Sequence, residues 1–463
     1  MSQKQNLKKL KNFKSFNDIT LDLTDKNNRP KSLVLIYGEN GIGKSNLASA
    51  FYMLSETLRT MEFRDLMQEI FNNKPKNISD SELRSLFTSR FKDIETLINE
   101  NKTVDSTENL YMEFHLDIKG KNAKYILEMN NSEIVHESLD CILAKNKGHA
   151  IDISPKRAFL SEKIFKDKSI IDDFKLLIDK FWGKHSFLAI LMHEYSDKSA
   201  HYYKDKISKN LLDILFYLRR MSCNLKIGNH AEYGLIGLPN YYLKNFDHGE
   251  IKTKEVGKLL RAETMLNKFF TSTYRDIEGI YYDKESAEND TIKYTLYVRK
   301  NICGTIRNIN FDLESTGTQA LLRLLPFLLA SIEGSTVIID EFDSGIHDLL
   351  SRSLIKSIFK DISGQLIMTT HNTSLMDNTT SVDNNPSLPD IPAECIYTIN
   401  EDDSNGQKRI SCILEHNNKL NSNSNIRKQY VQGKYHGIPD NISLDFKELT
   451  NLLLQNKEED SVL

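Results

Sequence analysis

Residues 37–46 read YGENGIGKSN; the apolar run SLVLIY (32–37) leads into them and LASAFYMLSETL (47–58) follows. Positions 38–45 satisfy G-x-x-x-x-G-K-[ST], a phosphate-loop pattern that needs a strand before it and a helix after it to carry meaning. Both are predicted here. Residues 33–37 form a short, fully apolar strand, and from 44 to 58 the apolar Leu47, Phe51, Leu54 and Leu58 recur at spacings of four, three and four, so one helix face packs on a sheet. Glycines let backbone N–H groups turn toward phosphate oxygens, and the helix N-terminus adds its partial positive charge. On this reading Lys44 contacts the β and γ phosphates and Ser45 holds Mg²⁺, so ATP and Mg²⁺ are the expected cofactors. The nucleotide-binding stretch is Gly38, Asn40, Gly41, Gly43, Lys44, Ser45 and Asn46.

A second constellation lies three hundred residues on. Thr336 and the apolar Val337, Ile338 and Ile339 describe a buried strand that delivers Asp340 and Glu341 at its C-terminal end, where open parallel sheets bind ligands. Asp340 is placed to reach Mg²⁺ through water, and Glu341 to orient or deprotonate the attacking water. In QLIMTTH, His371 stands just past another apolar strand, at the same expected sheet edge, where an imidazole could contact the γ-phosphate. Without the loop at 38–45, the acidic pair would read as a solvated helix N-terminus and the histidine as structural. With it, Glu341 and His371 become the catalytic candidates, and Ser45 and Asp340 the metal ligands.

Composition narrows the remaining classes. The 463 residues carry 61 Lys plus Arg against 64 Asp plus Glu, a formal charge of −3 that gives no bulk argument for nucleic acid or for an acidic partner. Cys141, Cys223, Cys303, Cys395 and Cys412 lie far apart without a CxxC pair, which disfavours zinc and a disulfide framework and suits a reducing compartment. The N-terminus lacks an apolar signal core, and the most apolar stretch, ALLRLLPFLLASI (320–332), is too short to span a bilayer. A cytoplasmic protein with no membrane partner is expected.

LKKLKNFKSFNDITLDL (7–23) alternates in the manner of an antiparallel hairpin, and two further strands are expected between 110 and 130. From 161 to 270 the pattern turns helical without sustained heptads, which predicts a compact helical insertion and not a coiled-coil arm. Strand patterning returns over 277–313, and from 319 onward helices alternate with TVIID, QLIMTT, CIYTI and ISCIL. Such alternation implies right-handed crossovers in a parallel sheet, hence an α/β fold. NTTSVDNNPSLPD (378–390) reads as a loop and QNKEEDSVL as a frayed tail.

The phosphate loop, ESTGTQ (314–319), TVIIDEFDSGIHDLL (336–350) and MTTHNTSLMD (368–377) together resemble the ABC-type ATPases of the SMC, RecF and OLD branch. More narrowly, LKNFKSF near the start and YVQGKYHGIP (430–439) are similar to the abortive-infection-type AAA ATPases, the group that includes the AriA ATPase of the PARIS anti-phage system. The resemblance leaves roughly 60–300 uncovered. It implies an ABC-type ATPase head, with a parallel P-loop sheet, an antiparallel β subdomain and a helical insertion. The parts would be an N-terminal lobe (1–60), a mixed helical and antiparallel region (61–160), the insertion (161–270), a C-terminal lobe with signature-like loop, Walker B strand and His switch (271–450), and a tail (451–463).

In that family the signature loop touches the γ-phosphate bound by the opposite subunit, and Ser315 and Gly317 match its Ser and second Gly. Glu314, Thr316 and Thr318 depart from Leu-Ser-Gly-Gly-Gln, and Gln319 stands one place late. From the residues alone, a Ser hydroxyl and a Gly N–H opening a helix are an anion site or an ordinary N-cap in equal measure; the resemblance favours the first. Asp343 and His347 resemble the D-loop region, or are charges favoured by a helix dipole. Gln68 is no better as a Q-loop than as a surface residue.

RKQYVQGKYHGIP (427–439) reads as a strand or turn closing the core, one short basic patch being a weak nucleic-acid signal. The stretch after Asp377 is too short for an added TOPRIM nuclease, and no HEPN, HNH or Ser-His-Asp set is evident. These readings describe an ATP-dependent switch acting as a dimer or higher homo-oligomer with shared sites, implied by resemblance to sense phage infection and control a separate toxic effector such as a nuclease. The competing expectations are a RecF- or SMC-like DNA repair or maintenance ATPase and a scaffold that binds ATP without turnover.

Overall fold

The computed structural model describes residues 3–72, 92–197, 203, 205–227, 231–233, 242–243, 245–288, 290–377, 391–402, 406–416, 425–438 and 445–451. The expected loop at 378–390 and nearly all of the expected tail lie outside the described residues.

The N-terminal hairpin is β1 (Gln3–Phe13) and β2 (Phe16–Thr20), paired antiparallel. Leu7, Leu10 and Phe13 are all fully buried although a spacing of three breaks the two-residue period of a strand. A register shift between Leu7 and Lys9, and Asn12 at φ 50°, reset the faces. β3 (Leu33–Tyr37) then leads through the loop into α1 (Lys44–Thr57), followed by α2 (Thr60–Asn72) and α3 (Ile94–Asn101). Five antiparallel strands come next: β4 (Leu110–Ile118), β5 (Lys121–Met129), β6 (Ile134–Ile142), β7 (Lys147–Ser154) and β8 (Arg157–Leu160). With the hairpin they make a seven-stranded sheet in the order β2-β1-β4-β5-β6-β7-β8.

Helices α4 (Lys168–Phe181), α5 (Phe187–Asp197) and α6 (Lys209–Leu218) precede β9 (Ser222–Ile227) and β10 (Ala231–Tyr233). Then come β11 (His248–Lys252), α7 (Val256–Thr273), β12 (Ile277–Ala287), β13 (Thr291–Ile302) and β14 (Thr305–Asn310). α8 (Thr316–Ile332), β15 (Thr336–Ile339), α9 (Asp348–Ile358), β16 (Gln365–Thr369), β17 (Ile396–Glu401), β18 (Lys408–Cys412), α10 (Ile413–His416) and α11 (Ile426–Val431) follow.

The central sheet runs β10-β9-β15-β16-β3-β17-β18. Its five inner strands are parallel, and antiparallel β10 and β18 close the two edges. Every residue of β3, β15 and β16 is buried, as a parallel sheet covered on both faces requires. Side chains alternate between two cores: Val34, Ile36 and Ile338 enter one with α1 and the large antiparallel sheet, while Leu35, Tyr37, Val337 and Ile339 enter the other with α8, α7, β12 and β13. These parallel and antiparallel layers form an α/β fold in which a parallel sheet is covered by helices on both faces and by an antiparallel sheet beyond α1.

Two expectations need revision. α1 buries twelve of its fourteen residues, not one face, because it lies between the parallel sheet and the large antiparallel one, Phe51 meeting Phe114 edge-on at 5.8 Å. The helical stretch read over 161–270 holds α4, α5 and α6, but it also holds β9, an inner strand of the central sheet, and α7, which packs on β12. SCNLKI alternates Ser222, Asn224 and Lys226 with Cys223, Leu225 and Ile227, itself a strand pattern, but the run is only six residues long and follows a helical stretch whose periodicity dominates the reading.

The three helices are bolted to the head. The carboxylate of Glu137 on β6, fully buried, accepts from Tyr125 Oη (2.8 Å), Trp182 Nε1 (3.0 Å) and the backbone N–H groups of Phe187 (2.6 Å) and Leu188 (3.2 Å) at the start of α5. Burial pushes its pKa up, and these donors pull it back. On the other side His193 of α5 meets the carboxylate of Asp65 on α2, the helix next after α1.

Candidate functional site

β16 lies between β3 and β15, so the carboxyl ends of these three strands stand side by side. From that edge leave the loop 38–43, the pair Asp340–Glu341 and the run Thr369–His371. The sheet thereby gathers at one edge residues that are three hundred positions apart in the chain, at the place where open parallel sheets bind ligands.

The loop is held from below. Gly43 has φ 120°, and a methyl group there would stand 2.9 Å from the Phe16 ring, so only glycine lets the loop settle onto the hairpin. Lys44 is buried, with Nζ donating to the carbonyls of Gly38 and Glu39, both at 2.8 Å. Burial lowers its pKa, opposed first by Asp340 and then by Glu341 and Asp343. The ammonium is thus parked on its own loop, in the field of the Asp340, Glu341, Asp343 and Glu39 carboxylates. Asn40, Gly41 and Ser45 are exposed at the mouth. Asn46 Nδ2 donates to Ser15 Oγ at 2.7 Å, which ties α1 to the β1–β2 turn.

Asp340 is 5 % exposed and takes hydrogen bonds from the hydroxyls of Thr369 and Ser45. Burial raises its pKa and those hydroxyls counter it. Ser45 and Asp340 therefore already face each other, which is the donor set a hard cation would need, one hydroxyl and one carboxylate. Thr369 Oγ1 also accepts the backbone N–H of Glu341 at 2.8 Å, and the Thr369 carbonyl accepts that of Phe342 at 3.1 Å. Glu341 sits at φ 49°, a left-handed conformation that costs a side-chain-bearing residue roughly 1–2 kcal/mol. Strain of this kind persists only where neighbours enforce it, and here Thr369 does.

His371 is exposed; its backbone N–H points to the Asp343 carboxylate at 3.2 and 3.4 Å. Partial burial and then the Lys44 charge lower its pKa, leaving a neutral imidazole at pH 7. Beside these groups a cavity of about 200 Å³ is lined by Asn224, Thr316, Arg323, Asp340, Glu341 and Ser344.

Ser315 and Gly317 behave differently from the other candidates. Ser315 is the N-cap of α8, accepting the Thr318 N–H at 3.2 Å, and a methyl group at Gly317 would stand 2.8 Å from the Gly345 carbonyl. Among the described residues, no hydrogen bond joins either to residues 38–46 of the same chain. His347 likewise caps α9 through the Leu349 N–H.

Several residues of the site escaped the sequence reading. Thr369 and Thr370 look like strand ends in QLIMTTH, yet Thr369 fixes both carboxylate residues. Tyr37 ends β3 and donates to the Asn372 carbonyl at 3.0 Å, linking the phosphate loop to the residue after His371. The segment expected as a strand or turn at 427–439 is a short helix, α11, followed by turns. Positive φ at Gly433, His436 and Gly437 breaks any extended run there.

Comparison with known proteins adds two sequence matches. Residues 247–377 match a family described as "AAA domain, putative AbiEii toxin, Type IV TA system", and residues 9–218 match one described as "AAA domain". Both support an AAA-type ATPase domain, and neither match alone covers half of the chain. No curated protein matches the chain. Among solved structures, it is similar to an SMC head bound to the C-winged helix domain of ScpA, at 13% identity and a TM-score of 0.38, covering 87% of this chain and 95% of that one. The SMC head domain from Thermotoga maritima gives 15% identity and 0.34, covering 89% and 99%. An Smc head with an extended coiled coil, bound to the C-terminal domain of ScpA derived from Pyrococcus furiosus, gives 12% and 0.36, covering 88% and 96%. The fold assignment stands on the strand order and loop geometry described above.

Proposed function

We propose that this chain binds and hydrolyses ATP as a nucleotide-dependent switch in which two copies share two sites, and that it is the cytoplasmic regulatory ATPase of an anti-phage, abortive-infection system controlling a separate toxic effector such as a nuclease. The observation that carries the ATPase reading is the shared edge of β3, β15 and β16, where Lys44, Ser45, Asp340, Glu341 and His371 converge.

In this reading Lys44 leaves the Gly38 and Glu39 carbonyls for the β and γ phosphates, and the N–H groups of 38–45 cradle the chain of phosphates. Ser45 and Asp340 would hold Mg²⁺, which would supply neutralisation of the triphosphate charge. Glu341 orients and deprotonates the attacking water; its backbone N–H is pinned by Thr369, so the carboxylate enters from a fixed base. His371, neutral, offers a donor to the γ-phosphate side. Ser315 and Gly317, at the start of α8, complete the site of the opposing copy, which makes nucleotide state and dimer state two readings of one equilibrium.

The description attached to the 247–377 match names a putative toxin of a toxin–antitoxin system, which supports a toxin–antitoxin setting. Replacing Glu341 with Gln tests the reading: ATP should stay bound and the dimer should accumulate by light scattering, while phosphate release falls at least about a hundredfold. A variant that turns over at the wild-type rate would remove Glu341 from the chemistry.

A further inference from the structure

The segment 425–438 meets the site at two places that neither the phosphate-loop pattern nor the acidic pair accounts for. On one side, Gly437 lies against the start of the phosphate loop: at φ 73°, a methyl group added to it would stand 3.3 Å from Gly38 Cα and 3.2 Å from the Ile399 carbonyl. Gly38 is confined by the same carbonyl, its own added methyl falling 3.2 Å from Ile399 O. The two glycines therefore crowd the same carbonyl of β17 and each other. Tyr430, one residue before the end of α11, packs its ring on Tyr37 at 5.6 Å and donates through its hydroxyl to the Gly437 carbonyl at 2.7 Å. On the other side, Arg427 Nε donates to Thr373 Oγ1 at 3.2 Å, two residues past His371.

The segment is internally stapled as well. Gly433 N–H donates to the Tyr430 carbonyl at 2.8 Å, Lys434 N–H to that of Gln429 at 3.1 Å, and Thr398 Oγ1 to that of Tyr435 at 2.8 Å, with Tyr435 fully buried. A rigid turn thus presses on Gly38, the residue whose carbonyl already receives Lys44.

We infer that Gly437 and Tyr430 are positioning residues of the nucleotide site: through Gly38 and Tyr37 they set the height of the phosphate loop, and so the affinity for the triphosphate. The inference rests on the ATP-binding reading above. It differs from a merely structural role in that the loop, not the fold, should register the change. Gly433 supplies the control, because it has nearly the same backbone, φ 79°, but a methyl group there would meet only the Ile438 side chain, at 3.4 Å.

The test is a titration of the full chain with a fluorescent ATP analogue, with melting temperature measured alongside. Gly437→Ala should weaken binding about tenfold or more, while Gly433→Ala, strained to a similar degree, should bind within about twofold of the unaltered chain. Should Gly437→Ala fail to fold, Tyr430→Phe decides the matter: it keeps the ring on Tyr37, loses the bond to the Gly437 carbonyl, and should weaken binding several-fold. Unaltered affinity in Gly437→Ala or, failing that, in Tyr430→Phe would overturn the inference, as would equal weakening in Gly433→Ala. If the unaltered chain binds no ATP, both this inference and the ATPase reading fall; binding by the unaltered chain with no effect of the variants sinks this inference alone.

Discussion

At the scale of single residues, the unusual feature is Glu341, a side-chain-bearing residue held at φ 49° with its N–H fixed by Thr369. Glycine occupies that backbone region without a Cβ penalty, so Glu341→Gly should leave the melting temperature unchanged or raise it by about 2 °C, while abolishing phosphate release. Calorimetry beside a phosphate assay checks this, and a marked loss of stability would mean that the glutamate side chain, not its backbone, is what the fold needs. The phosphate-loop residues and the Asp340–Glu341 pair were legible in the sequence because their chemistry demands fixed residue types at fixed spacing. Thr369 was not, since a threonine ending a strand has no spacing to betray it; only the pairing of β15 with β16 brings its hydroxyl to Asp340. Ser315 was read as a phosphate ligand, and within its own chain it is a helix cap.

At the scale of elements, strongly periodic segments were legible: the hairpin, the apolar β3, β15 and β16, and the helix after the loop. The place of β9 inside the parallel sheet was not, because its alternating SCNLKI fits a half-exposed strand and only its neighbours in the sheet bury it. The helical part is tied to its neighbours by Glu137 of β6 on one side and by the Asp65–His193 contact on the other. His185 sits in the α4–α5 turn with Nδ1 buried and without a hydrogen-bond partner, and its ring meets Phe181 edge-on. Burial first, and then the Arg64 charge, hold its pKa down to about 4 from an ordinary 6.5. The folded chain therefore refuses a proton that the unfolded chain accepts. The resulting stability is whole above pH 6.5 and declines as pH falls toward about 4. Thermal melts should show a lower midpoint at pH 5 than at pH 7, and His185→Phe should flatten that slope; an unchanged slope would place the pH dependence elsewhere.

At the scale of the whole molecule, the proposed switch takes two copies; among the described residues no hydrogen bond joins Ser315 or Gly317 to residues 38–46 of the same chain, although Thr316 lines the same cavity as Asp340 and Glu341. The architecture suits that arrangement, with Ser45, Glu341 and Ser315 all exposed. Gly317 is a poor probe of the second copy, since added bulk collides with the Gly345 carbonyl of its own chain at 2.8 Å. Ser315 is a better one: its cap contributes only about 1 kcal/mol, so Ser315→Arg should fold while blocking the partner's site. The decisive measurement is phosphate release from an equal mixture of Lys44→Ala and Ser315→Arg chains, each inactive alone. Half of the dimers then pair unlike chains and each of those holds one complete site, so the mixture should recover about a quarter of the unaltered turnover. A mixture as inactive as its components would contradict the shared site.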